Sequence, residues 1–443
     1  MILLINPKTT KPSEFQSDYF REPNLGLLYL TSILDQNHFD VDLLDLEQYY
    51  NYTSEQIELI LKTVSSKYFI FGITCLTNTY GYSLKIAQSI KKANRNAIII
   101  FGGPHVSFFY NNILMSEDII DFICIGESED SFLSLVQLLI TVGNKNRLIN
   151  NFASQLNKIK GIAYKNSQGK IFNTGYPDAV ILDDLPLPAR YKLSNINYYY
   201  KVANVIINRG CPNECSFCSR QRFFKKVRIR SIDSVFSEIR DILTLQNYDY
   251  INFYDNININ RTFFLKFCNM FIRNKIKIPW GCELRVDSIE QDDAKLLKEA
   301  GCQLIATGIE SASKKVLKKN FKYQDPARVL EGLKALKLYD IPIQCYFVLG
   351  LPGETESTFQ KTVKYIKDLP LTQEDKLEFF AATPYPGSLL WEKQDEYQIK
   401  IIEKNFDNYD CQHIIFETQD LNIKQLQKMF KIAKKLESFV FEK

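Results

Sequence analysis

"RGCPNECSFCSR", Arg209 to Arg220, packs three cysteines into eight residues, at Cys211, Cys215 and Cys218. Three thiolates in so short a loop suit zinc or an iron–sulfur cluster. A structural zinc site normally takes four protein ligands. The three histidines, His38, His105 and His413, all lie far from the loop in sequence. A cubane held by three cysteines leaves one iron open to a substrate or cosubstrate. The loop also follows the apolar run "VANVIIN", and enzymes with parallel strands gather their chemistry at strand C-terminal ends. A reactive cluster is the first reading, with zinc and plain packing as the others.

Working outward, the pattern around the loop is a repeat of strand and helix. "VANVIINRG", "YINFYDN", "IPWGCELRV", "CQLIATGIES", "IQCYFVLGLPGE" and "KLEFFAATPYPG" read as strands. Helical spacing lies between them, as in "SIDSVFSEIRDILTLQ" and "PARVLEGLKALKLYD". Six βα units predict a parallel sheet curved as part of a TIM-type barrel over 199–390. Residues 391–443 form a helical tail, with Leu426, Met429, Phe430, Ala433, Leu436 and Val440 on one face. Its five lysines from 424 to 435 read as a solvated face.

The first 140 residues alternate in the same way. "MILLIN", "VDLLDL", "YFIFGITCL", "AIIIFGGPH" and "FICIGESE" are continuous apolar runs separated by helical segments. "SEQIELILKTVSSK" opens on a Ser cap. This predicts an α/β doubly wound, Rossmann-like domain over 1–150. Ligands on such sheets bind beyond the strand carboxyl ends, which here carry "TCLTNTYG", "GGPH" and "GESE". Residues 151–198 read as a hairpin, turning at Ser167-Gln168-Gly169, and the proline-marked linker "DDLPLPAR".

Composition sets outer limits. The chain has 443 residues, 45% hydrophobic and 24% charged, with 55 basic against 51 acidic side chains. A net charge of +4 gives no reason to expect nucleic acid or membrane as a partner. "MILLINPKTT" lacks the pattern of a signal peptide, and no stretch has the length and apolarity of a membrane span. Ten cysteines in a chain expected to be cytoplasmic argue against a disulfide framework. The seven outside the loop mostly sit in apolar runs, where cysteine packs as a small hydrophobe.

CxxxCxxC with an aromatic before the last cysteine, Phe217, resembles the motif of radical S-adenosylmethionine (SAM) enzymes. Cys211, Cys215 and Cys218 would then bind a [4Fe–4S] cluster, and the amino and carboxylate groups of SAM would chelate the open iron. "INFYDN" resembles the second-strand end, with Asp255 and Asn256. "CELRVDSI" places Glu283 and Arg285 at the third. "TGIESAS" resembles the fourth, with Gly308, Glu310 and Ser311. "FVLGLPGET" resembles the fifth from Gly350, and "TPYPGS" the sixth, with Pro384 and Tyr385 toward the adenine. A zwitterionic sulfonium cosubstrate needs carboxylates for its cationic groups and an arginine or hydroxyl for its carboxylate. Singly, each motif also reads as an ion pair, a helix-start acid or a turn.

The first domain resembles the N-terminal half of those radical SAM enzymes that carry a cobalamin-binding domain. By that resemblance Thr74, Leu76, Thr77, Gly102 and Gly103 line the cobalamin, with Gly126 and Glu127 nearby. After the first strand stands "NPKTT", not Asp-x-His-x-x-Gly, so no histidine is placed as a lower axial ligand. The alternative is a relic domain without cobalamin. His105 reads as an ordinary loop residue.

The resemblance implies that one external electron, from a flavodoxin or ferredoxin, cleaves SAM to a 5′-deoxyadenosyl radical. Methylation of an unactivated carbon in a small-molecule or peptide substrate follows; the alternative is ring formation or rearrangement. Methylthiolation of tRNA would bring three further cysteines in the first domain, where only Cys75 and Cys124 stand. The basic run "SRQRFFKKVRIRS" reads as a loop in which Arg228 and Arg230 pair with acids.

Overall fold

The computed structural model describes residues 1–8, 22–49, 51–196, 201–245 and 248–439, without the side chains of 194–196, 255 and 438–439. Val440 and the end of the "NPKTT" segment lie outside the described residues. The chain divides into two compact units, 1–201 with 222–228, and 202–221 with 229–443.

The first unit is built on β1 (Ile2–Asn6), β2 (Val41–Asp45), β3 (Ile70–Thr74), β4 (Ile98–Gly102), β5 (Phe122–Cys124), β6 (Ile162–Lys165) and β7 (Ile171–Asn173). The sheet order is β2-β1-β3-β4-β5-β6-β7. The first five strands are parallel; β6 and β7 are antiparallel. Alternate residues feed two cores, which is why these strands are apolar throughout. Leu3, Ile5, Phe71, Ile73, Ile99 and Phe101 pack with α2 (Ser54–Lys67), α3 (Tyr80–Ala93) and α4 (Pro104–Ser116). Ile2, Leu4, Ile70, Ile98 and Ile100 pack with α1 (Leu25–Gln36) and α5 (Glu129–Val142).

Two expectations are corrected here. The 162–173 hairpin is not part of a connection: it pairs with β5 and extends the sheet, because β5 would otherwise be a bare edge. The cap of α2 is Thr53, not Ser54; Thr53 and Gln56 form a reciprocal capping box.

The second unit carries β8 (Val202–Val205), β9 (Tyr250–Asn256), β10 (Trp280–Glu283), β11 (Cys302–Glu310), β12 (Ile343–Leu349) and β13 (Lys376–Ala381). They run parallel in the order β13-β12-β11-β10-β9-β8. The helices α6 (Ile232–Leu245), α7 (Arg261–Arg273), α8 (Gln291–Glu299), α9 (Lys314–Lys319), α10 (Pro326–Lys337) and α11 (Glu356–Asp368) alternate with them. The core faces the helices: Phe253 meets Phe267, Phe271 and Trp280 edge to face, and Trp280 Nε1 donates to Ala300 O at 2.8 Å.

A short antiparallel pair, β14 (Ile399–Ile401) with β15 (Phe416–Thr418), precedes α12 (Ile423–Phe439). Leu426, Met429 and Ala433 of α12 are buried, as the sequence predicts. Lys424, Lys428, Lys431 and Lys435 are exposed. Lys434 departs from the solvated face. It donates to Phe379 O at 2.9 Å, while Glu437 Oε1 accepts from Phe379 N at 2.6 Å. Two side chains thus stand in for the strand that edge β13 lacks.

Candidate cofactor site

At the strand C-terminal ends of the second unit lies an open cleft lined by residues from several strand ends. Cys211, Cys215 and Cys218 all line it. Their loop is tied down by hydrogen bonds. Arg220 closes it onto its own start, Nε to Gly210 O at 3.3 Å and Nη2 to Asn208 O at 3.1 Å. Gly210 takes φ +88°, open to glycine without strain. In the middle, buried Ser216 receives Asn320. Ser216 N donates to Asn320 O at 3.0 Å and its Oγ to Asn320 Oδ1 at 2.6 Å. Asn320 Nδ2 donates in turn to Val316 O and Pro352 O, at 2.9 and 3.0 Å.

Among the described residues no three His, Cys, Asp or Glu side chains gather as they would around a single metal ion. The three thiols line one cleft. Burial pushes the Cys215 thiol up to about 12, partly offset by Lys322. In the thiol form Cys215 faces Phe321 O at 3.8 Å.

Opposite the thiols stand strand-end residues the sequence singled out. Asn256, Glu283, Arg285, Gly308 and Glu310 all line the cleft. The Asp255 side chain lies outside the description. Arg285 is not a surface ion pair. It bridges Asp287 at 2.7 Å, Tyr323 O at 2.5 Å and Asn213 Oδ1 at 3.3 Å in the cysteine loop. Burial opposes its charge, but Asp287 and the nearby cysteines outweigh that and hold it above its ordinary range.

Glu310 sits at φ +62° after a break in register between Gly308 and Glu310. Such strain in a non-glycine residue costs about 1–3 kcal/mol and marks functional positions. Its carboxylate accepts from Lys322 Nζ at 2.9 Å. A Cβ on Gly308 would lie 2.3 Å from Glu310 Oε1, so a side chain there would displace the paired carboxylate. Lys322 is the residue sequence reading missed. It lies in a loop after α9, and only the fold brings it to Glu310 and Cys215. Burial works against its charge, yet Glu310 and Cys215 more than compensate, raising it above its usual range.

Four expected residues do not line this cleft. Ser311 is buried the other way, its Oγ 3.4 Å from Thr362 Oγ1. Neighbouring residues along an extended chain point to opposite faces, which separates Ser311 from Glu310. Gly350 N donates to buried Glu354 at 2.6 Å in a turn with φ +88°. Burial raises Glu354 to about 7, against the pull of that N–H. Pro384 is buried, and Tyr385 OH turns to Tyr409 O and Cys411 Sγ, each at 3.1 Å.

In the first unit, β3 and β4 end on an open platform. Leu76 is 46% exposed, large for an apolar side chain, and a Cβ on Gly102 would meet nothing closer than 4.0 Å. Gly103 serves the chain instead. At φ +106° its Cβ would fall 2.7 Å from Cys75 O. Thr77 Oγ1 lies 3.2 Å from His105 Nδ1, and His105 is buried between Tyr80 and Phe109, so burial lowers it to about 3. At the β5 end the chain fills its own space. The Tyr176 ring lies where a Gly126 side chain would stand, and Glu127 is gripped bidentately by Arg228, with Nη1 to Oε2 at 2.9 Å. Leu76 and Gly102 are thus left open at these strand ends, while Gly126 and Glu127 are engaged by the protein. Arg230 pairs with buried Glu238 at 2.5 Å, as the loop reading expects.

Comparison with known proteins agrees with this division. Residues 205–366 match the Radical SAM superfamily and residues 16–136 the B12 binding domain. The chain is a radical SAM enzyme that carries a B12-binding domain. Its cofactors are a [4Fe–4S] cluster, SAM and cobalamin. It is similar to an uncharacterized methyltransferase of Pyrococcus horikoshii, 29% identical over 93% of this chain and 86% of that one. It is also similar to the anaerobic magnesium-protoporphyrin IX monomethyl ester cyclase of Rubrivivax gelatinosus, 28% identical over 86% of this chain and 68% of that one. In fold it resembles the radical SAM methyltransferase TsrM of Kitasatospora setae, solved with cobalamin and a [4Fe–4S] cluster. The TM-score is 0.74 at 14% identity, over 99% of this chain and 88% of that one. Among the described residues no helix is long and apolar enough to cross a membrane.

Proposed function

We propose that the chain methylates an unactivated carbon of a small-molecule or peptide substrate. The observation that carries this reading is the cleft, which sets three thiols against Asn256, Glu283, Arg285, Glu310 and Lys322. When bound, the cluster and SAM supply a 5′-deoxyadenosyl radical and cobalamin supplies a methyl carrier.

The chain's residues divide the remaining work. Cys211, Cys215 and Cys218 hold the cluster. Lys322 and Arg285 place two fixed cations in the cleft, suited to a carboxylate. Glu283 and Glu310 face them as acceptors for an ammonium or for ribose hydroxyls. In the first unit Thr74, Leu76 and Gly102 would seat the cobalamin. With no histidine at the expected place after β1, and with His105 enclosed by Thr77, Tyr80 and Phe109, the cobalt would take no protein nitrogen. A low-potential donor such as flavodoxin or ferredoxin would supply the electron.

The test is anaerobic reconstitution with iron, sulfide and hydroxocobalamin, followed by counting cobalamin per chain and weighing products. Close to one cobalamin per chain and a product heavier by one methyl group support the reading. An intact cluster without cobalamin would refute it. The likeness to the cyclase carries a second reading, ring formation, which would give a product of unchanged carbon count. Splitting from a histidine nitrogen in the cob(II)alamin EPR spectrum would contradict the ligand assignment.

A further inference from the structure

We propose that the outer face of α9 docks a small acidic electron-transfer protein that reduces the cluster. The proposal rests on the reading of the cleft as a cluster site and names the partner of that site.

α9 reads "KKVLKK". Val316 and Leu317 are buried, while Lys314, Lys315, Lys318 and Lys319 are all exposed. Lys314 meets Asp325 at 2.9 Å. Among the described residues Lys315, Lys318 and Lys319 have no ion-pair partner. Lys314 with Lys318 and Lys315 with Lys319 are like charges at i,i+4, an arrangement that weakens a helix. A short helix that keeps this repulsion breaks a local rule, as sequences do where function demands it.

The second observation is where the helix leads. Its last lysine precedes Asn320, the residue whose carbonyl and amide oxygens bind Ser216 between Cys215 and Cys218. Phe321, one residue on, places its carbonyl 3.8 Å from Cys215 Sγ. The Lys319 stem lies over Gly353, where a Cβ would come within 2.8 Å of Lys319 Cδ. The basic face therefore ends two residues before the carbonyl that faces Cys215. An electron arriving there has a short bonded route inward. The donor loses one electron and the cluster gains it; no bond or proton changes hands. Complementary charge speeds such encounters and makes them salt-sensitive.

The experiment uses the full chain with Lys315, Lys318 and Lys319 changed together to Glu, and a gentler Gln triple in case the first fails to fold. A matched control changes Lys361, Lys364 and Lys367 of α11 to Glu. That helix runs back toward the opposite end of the strands. Stopped-flow reduction of the reconstituted cluster by photoreduced flavodoxin is compared with reduction by dithionite. The expected result is a fall of roughly tenfold or more in the flavodoxin rate at low salt, with a flatter salt dependence. Dithionite reduction and the α11 control should stay within about twofold of wild type. Calorimetry of oxidised flavodoxin on the cluster-free chain should show the same loss of affinity. Equal flavodoxin rates in wild type and both triples would overturn the proposal. So would an equal loss in the α11 control, or a triple that loses affinity only for an RNA oligomer. Failure of the chain to assemble a cluster would instead refute the proposed function, while the binding measurement would still judge the docking face.

Discussion

The two units end their strands differently. In the first, side chains of the chain itself fill much of the strand-end space: Tyr176 covers Gly126, Arg228 holds Glu127, and His105 is enclosed by Thr77, Tyr80 and Phe109. In the second, thiols, carboxylates and cations face an open cleft, and the buried pair of Glu310 with Lys322 stands on a strained backbone. A broad platform for a large flat cofactor needs little built-in charge. A cleft for a small zwitterion needs charges already in place.

The sharpest break of this contrast is Cys215→Ala. It should abolish cluster assembly and 5′-deoxyadenosine formation, read by iron content, visible absorbance and product analysis, while cobalamin binding survives. Retained cluster absorbance would sink the assignment of the cysteine loop.

Next in size is the ion pair. Lys322→Met strands a buried carboxylate and should cost about 3 kcal/mol of stability, measured by denaturant unfolding. Glu310→Gln should cost a similar amount, and the double variant less than the sum. Strict additivity would mean that the two groups do not support each other.

The pH profile separates the units by sign. His105 titrates in the folded state near 3, below its ordinary 6.5. Its contribution is intact above pH 6.5 and is lost as pH falls toward 3. Glu354 titrates near 7, above its ordinary 4.5. Its neutral form favours the fold, so stability falls as pH rises from 4.5 to 7. The swing is on the order of 5 kcal/mol for His105 and about 3 kcal/mol for Glu354. His105→Asn should flatten the acid limb and Glu354→Gln the neutral one. Unchanged profiles in both variants would refute these assignments.

The smallest effect belongs to Asn320→Ala, which strips partners from Ser216, Val316 and Pro352. About 2 kcal/mol of stability should go, with slower cluster loading. Loss of stability with normal loading would make Asn320 a packing residue only.

The sequence made much of this legible, for physical reasons. Strands buried on both faces must be apolar throughout, so the first sheet could be read in order. Strand-end positions after the cysteine loop led to Asn256, Glu283, Arg285, Gly308 and Glu310. What stayed hidden depended on tertiary placement. Lys322 lies twelve residues past Glu310, in a loop no periodicity marks. Tyr176 closes Gly126 from fifty residues away. Ser311 is buried against Thr362, away from the cleft, which a motif written as a string does not show.

The sealing of β13 has a consequence for how the molecule is made. The groups that cover Phe379, Lys434 and Glu437, are synthesised more than fifty residues after it. On the ribosome, the sixth strand therefore waits with open hydrogen-bonding groups until the last helix emerges. During that interval the nascent chain can recruit a neighbour's strand instead. Chains stalled or cleaved before residue 434 should accumulate as sheet-linked aggregates rather than as a soluble, slightly shortened enzyme.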